Sequence, residues 1–123
     1  MKWLVRILQG LLVLGFLMFG FMKVSGDPTQ VEAFNDIYGY GTAFMYVVGI
    51  VEILGAVGLL IGYWRNKLIP IFSGVLAVVM AGAVFTHLKA GQGFEVAGMP
   101  LILLVLALIV LFGQIKLLAN NRQ

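Results

Sequence analysis

The sequence has no cysteine, one histidine, three prolines and five acidic residues in 123 positions. Without cysteine the chain supplies no disulfide, thiolate metal site or redox dithiol of its own. A single histidine excludes a multi-histidine metal site or a bis-histidine haem within one chain. Charged residues make up 11% of the sequence and hydrophobic ones 62%, with a mean hydropathy of +1.07. Eight basic and five acidic side chains cannot form a soluble surface around so much Leu, Val, Ile and Phe, so the composition is that of an integral membrane protein. The net charge of +3 does not point to nucleic acid, because the basic residues are too dispersed to track phosphates. The partner it implies is the lipid bilayer.

What is abundant is apolar sequence, in four runs at about 3–24, 43–62, 68–88 and 98–118, each long enough to cross a bilayer as a helix. They form a single membrane domain, 1–123. The fold class expected is all-α: a bundle of four transmembrane helices with a short interfacial or re-entrant helix between the first two. Lys2, Arg6, Arg65, Lys67, Lys116 and Arg122 flank one side of the runs, and Lys23 and Lys89 the other. This bias places both termini in the cytoplasm of a multi-pass protein of the inner (plasma) membrane. The basic start of the first run also resembles a signal peptide. Its apolar length exceeds the usual h-region, and Lys23 interrupts the place where a cleavage site would fall, which favours a retained helix.

Asp27-Pro28 is a helix-start signal: the carboxylate can accept free N–H groups, and proline is tolerated at the first helical position. Val31, Phe34 and Tyr38 then share a face, and Gly39 and Gly41 end the segment. Tyr63 to Lys67 is a tight turn with aromatic and basic anchors, so the second and third spans are antiparallel neighbours. The third run has Pro70 in its first turn and Ser73, Gly74, Ala77, Ala81, Gly82 and Ala83 for close helix approach. An outer loop is expected over 89–97, containing Gly91, Gln92, Gly93 and Glu95, with Pro100 in the first turn of the fourth span. Leu101 to Phe112 is nearly pure Leu, Ile and Val, as suits the most lipid-exposed helix.

The costliest residue to place is Glu52, the one side chain charged at neutral pH between Ala43 and Ile61. It lies about 13 Å from the nearer end of its run at ~1.5 Å per residue, close to the midplane. An unpaired charge there costs roughly 2.5 to 3.5 kcal/mol even on the lenient insertion scale, so a partner is required. Lys23, at the end of the first span, is separated from Glu52 by roughly 9 Å along the axis, a gap their side chains can bridge together. His87 and Thr86 approach from the same end on the third span. Gly20, Gly49, Gly55 and Gly58 are candidate helix-packing positions, with Ala81 on the third span. Two readings of the cluster stay open. It can be a buried ion pair that fixes helix register, with His87 adding a hydrogen bond, or a site for a polar headgroup such as a quinone ring arriving from the lipid. A proton relay through Glu52 and His87 is a sharper form of the second.

Several stretches in a fixed order resemble the DoxX-like family of small four-helix membrane proteins. They are Gly20-Phe-Met-Lys23, Val31-Glu-Ala-Phe34 before Tyr38-Gly39, the run from Gly49 through Glu52, Gly55, Ala56 and Gly58, and Ala81 through Thr86-His87. The resemblance implies a four-helix bundle. It also implies an association with thiosulfate:quinone oxidoreductase assemblies, detoxifying redox complexes or thiol and quinone stress, while the broader clan includes chaperone-like members. The function expected is therefore an accessory or partner subunit of a membrane redox system, with quinone as a candidate non-covalent ligand and a redox enzyme or a second copy as candidate partner. Lacking a metal-ligand set and a nucleophile with an oriented base, the chain does not point to self-contained catalysis. The alternatives are a small-molecule transporter with Glu52 as its protonatable site, and a membrane assembly factor or chaperone working through its small-residue faces.

Overall fold

Each long apolar run buries a single stripe of residues, and those stripes set how the helices meet. The computed structural model describes residues 2–91 and 94–121. It contains α1 (Lys2–Val24), α2 (Pro28–Glu32), α3 (Thr42–Ile61), α4 (Leu68–Lys89) and α5 (Phe94–Asn121), and a π-helical turn, Ala33–Ile37, continues α2. On α1, Val5, Gln9, Leu12, Phe16 and Gly20 are buried at intervals of three to four residues, while Trp3, Leu14 and Phe21 project outward. On α5 the buried stripe is Leu103, Ala107, Val110 and Gln114, and this span has the smallest buried share of the four. The outward-facing apolar side chains would be untenable in water and are what a bilayer covers. All four long helices have the length and composition to span one.

The long helices form a ring in the order α1, α3, α4, α5, each packed on its two neighbours. Small residues decide how closely. A Cβ added at Gly20 would lie 2.9 Å from the Gly49 carbonyl oxygen, and one at Gly49 would lie 2.8 Å from Lys23 Cβ, so α1 and α3 touch backbone to backbone near the α2 end. Toward its other end α3 turns its glycines to α4. Gly55 receives Leu76, Gly58 receives the Phe72 ring and Gly62 receives Ile69, each closer than an added Cβ would allow. Ala81, expected on a packing face, is instead exposed, and Gly74 and Gly82 have open space beside them. The reason is helical phase: α4 buries Ile69, Ser73, Leu76, Ala77 and Met80, and that stripe turns Ala81 outward.

The connections follow their local chemistry. Asp27 Oδ2 accepts from the Gln30 backbone N–H at 3.3 Å, with Pro28 opening α2. Gly39 and Gly41, at φ of 72° and 88°, take the chain back toward α3 through conformations that side chains disfavour. At the opposite end, Tyr63 donates to the Arg6 carbonyl at 2.7 Å and tethers the α3–α4 turn to the start of α1. Burial pushes the Tyr63 hydroxyl above its ordinary pKa, with the Arg6 charge opposing. The fourth helix begins earlier than the loop chemistry suggested: its backbone is helical from Phe94, so Pro100 lies inside α5 and not in its first turn. Its missing N–H is tolerated because a transmembrane bundle can satisfy the freed carbonyl from neighbouring groups. Gln92, Gly93, Arg122 and the side chain of Glu95 lie outside the described residues.

Candidate functional site

Near the α2 end α1 and α3 cross closely, but the bundle as a whole leaves an opening lined by residues of all four long helices. A cavity of about 770 Å³ lies there, roofed by α2 and the π-helical turn, with Lys23 and Glu52 in its wall. Its volume is within the ~300–1,000 Å³ typical of small-molecule sites, and its lining is mostly apolar with a few convergent polar groups.

The ion pair is built by the close crossing of α1 and α3. Because Gly20 and Gly49 bring the backbones together, Lys23 Nζ reaches Glu52 Oε1 at 3.0 Å. Glu52 is 1% exposed, and apart from this contact its Oε1 takes no hydrogen bond among the described residues. The Lys23 side chain is 11% exposed, and its ammonium also lies 5.8 Å from the centre of the Phe19 ring. It carries three donor hydrogens, so a ligand acceptor in the cavity can be bound without breaking the pair.

His87 and Thr86 stand at the rim of the same cavity, against the cap. The described partner of His87 is Tyr38, whose hydroxyl lies 3.0 Å from His87 Nδ1, and Thr86 Oγ1 lies 3.1 Å from the Tyr40 hydroxyl. These two contacts tie the cap to the end of α4. They sit in an aromatic group in which Tyr38 meets Phe34 and His87 edge-on, both at 5.4 Å, and Tyr40 meets Phe44 at 5.1 Å. Phe34 is buried beneath the cap as its apolar anchor. Burial raises the Tyr38 hydroxyl above its ordinary pKa, which favours its neutral form.

Of the four expected polar residues, Lys23 and Glu52 are brought into direct contact, and Thr86 and His87 line the same cavity at its capped rim. The sequence reading missed Tyr38 and Tyr40 as rim groups. The signal was present in two tyrosines flanking a glycine straight after a short helix, but pairing them with residues almost fifty positions away required the fold. Gln9 is fully buried outside the cavity, where its Nε2 donates to the Leu59 carbonyl at 2.7 Å.

Comparison with known proteins agrees with this architecture. The family model described as the DoxX-like family matches residues 7–110. Uncharacterized protein YdgD of Bacillus subtilis (strain 168) is 40% identical over 96 residues, which cover 76% of this chain and 82% of the relative. No solved structure matches the chain. With the family match running from the first span through most of the fourth, this multi-pass membrane protein belongs to the DoxX-like family.

Proposed function

We propose that the chain is an accessory subunit of a membrane redox system whose cavity holds the head of an amphipathic molecule, with a quinone ring as the best-fitting class. The observation that carries this is the Lys23–Glu52 pair standing in the wall of an otherwise apolar cavity. A purely architectural pair is normally enclosed by packed side chains; this one borders open volume. A quinone carbonyl is a neutral acceptor for the Lys23 ammonium, the apolar lining suits the ring face, and the Tyr38 and His87 groups at the rim suit a second polar edge. Without a cysteine the chain cannot supply thiol electrons, so the redox partner implied by the DoxX-like resemblance would provide them. In this reading both termini face the cytoplasm of the inner membrane and the capped cavity opens in the outer half of the bilayer, following the excess of basic residues at the opposite end.

The test is native mass spectrometry of protein in lipid nanodiscs with a decyl-tailed benzoquinone, comparing wild type with Glu52→Gln at a temperature where both are folded. Wild type is expected to hold the probe, and the variant to lose at least tenfold in occupancy as the freed ammonium reorients toward the headgroups. Equal occupancy in both, or none in wild type, removes the quinone-site reading and leaves the pair as a packing determinant.

A further inference from the structure

We infer that the gap between the α2-side halves of α3 and α4 is a lateral portal, through which a membrane-dissolved amphipathic molecule reaches the Lys23–Glu52 pair without passing through water. The inference deepens the proposed function by naming the access route and hence the ligand's physical state.

The portal follows from where α3 spends its small residues. At the α2 end Gly49 is committed to α1, against Gly20 and Lys23. At the other end Gly55, Gly58 and Gly62 are committed to α4, taking Leu76, Phe72 and Ile69. One rigid helix cannot lean on both neighbours along its whole length, so α3 and α4 are close at the turn end and separated at the cap end. The cavity occupies that separation, with Phe44, Val48 and Glu52 on the α3 side and Val79, Ala83 and His87 on the α4 side. Its lining continues around α4 to Val78, Gly82 and Phe85, residues on the outer surface; Val78 is 74% and Phe85 65% exposed. Gly82 has nothing within 4 Å of an added Cβ, so no side chain fills the opening at that point.

The route from water is built in the opposite way. The cap lies across it, held by buried Phe34, the Tyr38–His87 contact at 3.0 Å and the Tyr40–Thr86 contact at 3.1 Å. Opening there breaks two polar contacts and an aromatic cluster, whereas the outer edge of the lateral side is formed by apolar Val78, Gly82 and Phe85. A molecule dissolved in the bilayer also arrives at the depth of Glu52, where its polar head finds the ammonium and its tail can stay among the lipids.

The absence of cysteine in the native chain makes a single introduced thiol a clean reporter that needs no ligand. Ala83→Cys, within the cavity lining, would be treated in lipid nanodiscs with a membrane-partitioning N-alkyl maleimide and with a charged sulfonated maleimide. The alkyl reagent is expected to label at least tenfold faster than the sulfonated one. Adding Gly82→Trp, which fills the opening from the outer face, is expected to slow alkyl labelling at least tenfold. Adding Tyr40→Phe, which loosens the cap, is expected to leave it within twofold. Helicity and monodispersity would be checked for each variant. Comparable labelling by the charged reagent, or a folded Gly82→Trp variant labelled at the parent rate, overturns the portal. Because this readout contains no quinone, the portal can fail while a quinone site stands, and a failure to bind quinone leaves the labelling result intact.

Discussion

The 3.0 Å contact between Lys23 and Glu52 makes unequal predictions for its two partners. Glu52 sits ten residues into α3 from Thr42, about 15 Å along the axis at ~1.5 Å per residue, and is 1% exposed on a short side chain. Replacing Lys23 by Met leaves that carboxylate with no cationic partner and no reach to the interface. The expected cost is about 3–5 kcal/mol, as for stripping one partner from a buried pair. Replacing Glu52 by Gln leaves the ammonium of Lys23, whose side chain is 11% exposed and which stands one residue from the end of α1. It can extend toward the headgroups, so about 1–3 kcal/mol is expected. The double variant removes both charges, and its cost should fall short of the sum of the singles by at least about 2 kcal/mol, within the range of directly contacting pairs. Reversible unfolding of helicity in mixed micelles, titrated with SDS, measures all four proteins. Additive costs, within about 0.5 kcal/mol, would refute the pair as an energetic unit. Equal single-variant costs would refute the argument from depth.

The glycines give a second contrast. Gly49→Ala places a Cβ 2.8 Å from Lys23 Cβ and is expected to cost about 1–3 kcal/mol by overpacking, whereas Gly74→Ala meets nothing within 4 Å and should stay within about 0.5 kcal/mol of wild type in the same unfolding assay. Reversal of that order would sink the close α1–α3 crossing. A third prediction concerns pH at the cap, where burial raises the Tyr38 hydroxyl above its ordinary value. Stability from holding the neutral Tyr38 hydroxyl in the cap should be fully present below about pH 10 and lost as pH rises through the higher folded value, since an acid with a raised folded pKa favours folding in its protonated form. Ultraviolet phenolate titration checks it: Tyr38→Phe should remove late-titrating amplitude, and an unchanged late phase would contradict the burial.

Much of this protein was legible from residue order alone because a bilayer is a demanding solvent. Backbone polar groups must be satisfied within each segment, so four apolar runs of spanning length can only be helices. The same cost argument singled out Glu52 and required a partner for it. Lys23 was the basic residue at suitable depth, and the Asp27-Pro28 helix start followed from capping chemistry that acts over three residues.

Other features depended on rotation and tilt, which sequence spacing constrains weakly. Ala81 and Ala77 are both small residues on α4, and only the phase of the packed stripe decides that Ala77 is inside and Ala81 outside. His87 and Thr86 were placed at the correct end, but their contacts with Tyr38 and Tyr40 were not legible, because these tyrosines reach them through a cap whose path is set by two left-handed glycines. The cavity itself is written in no single segment. Helical periodicity and the cost of burying charge are local properties, which is why the sequence by itself determined the four spans and the need for a pair. The division of α3's glycines between two partners, and the opening that results, are properties of three helices at once, and only the tertiary structure decided them.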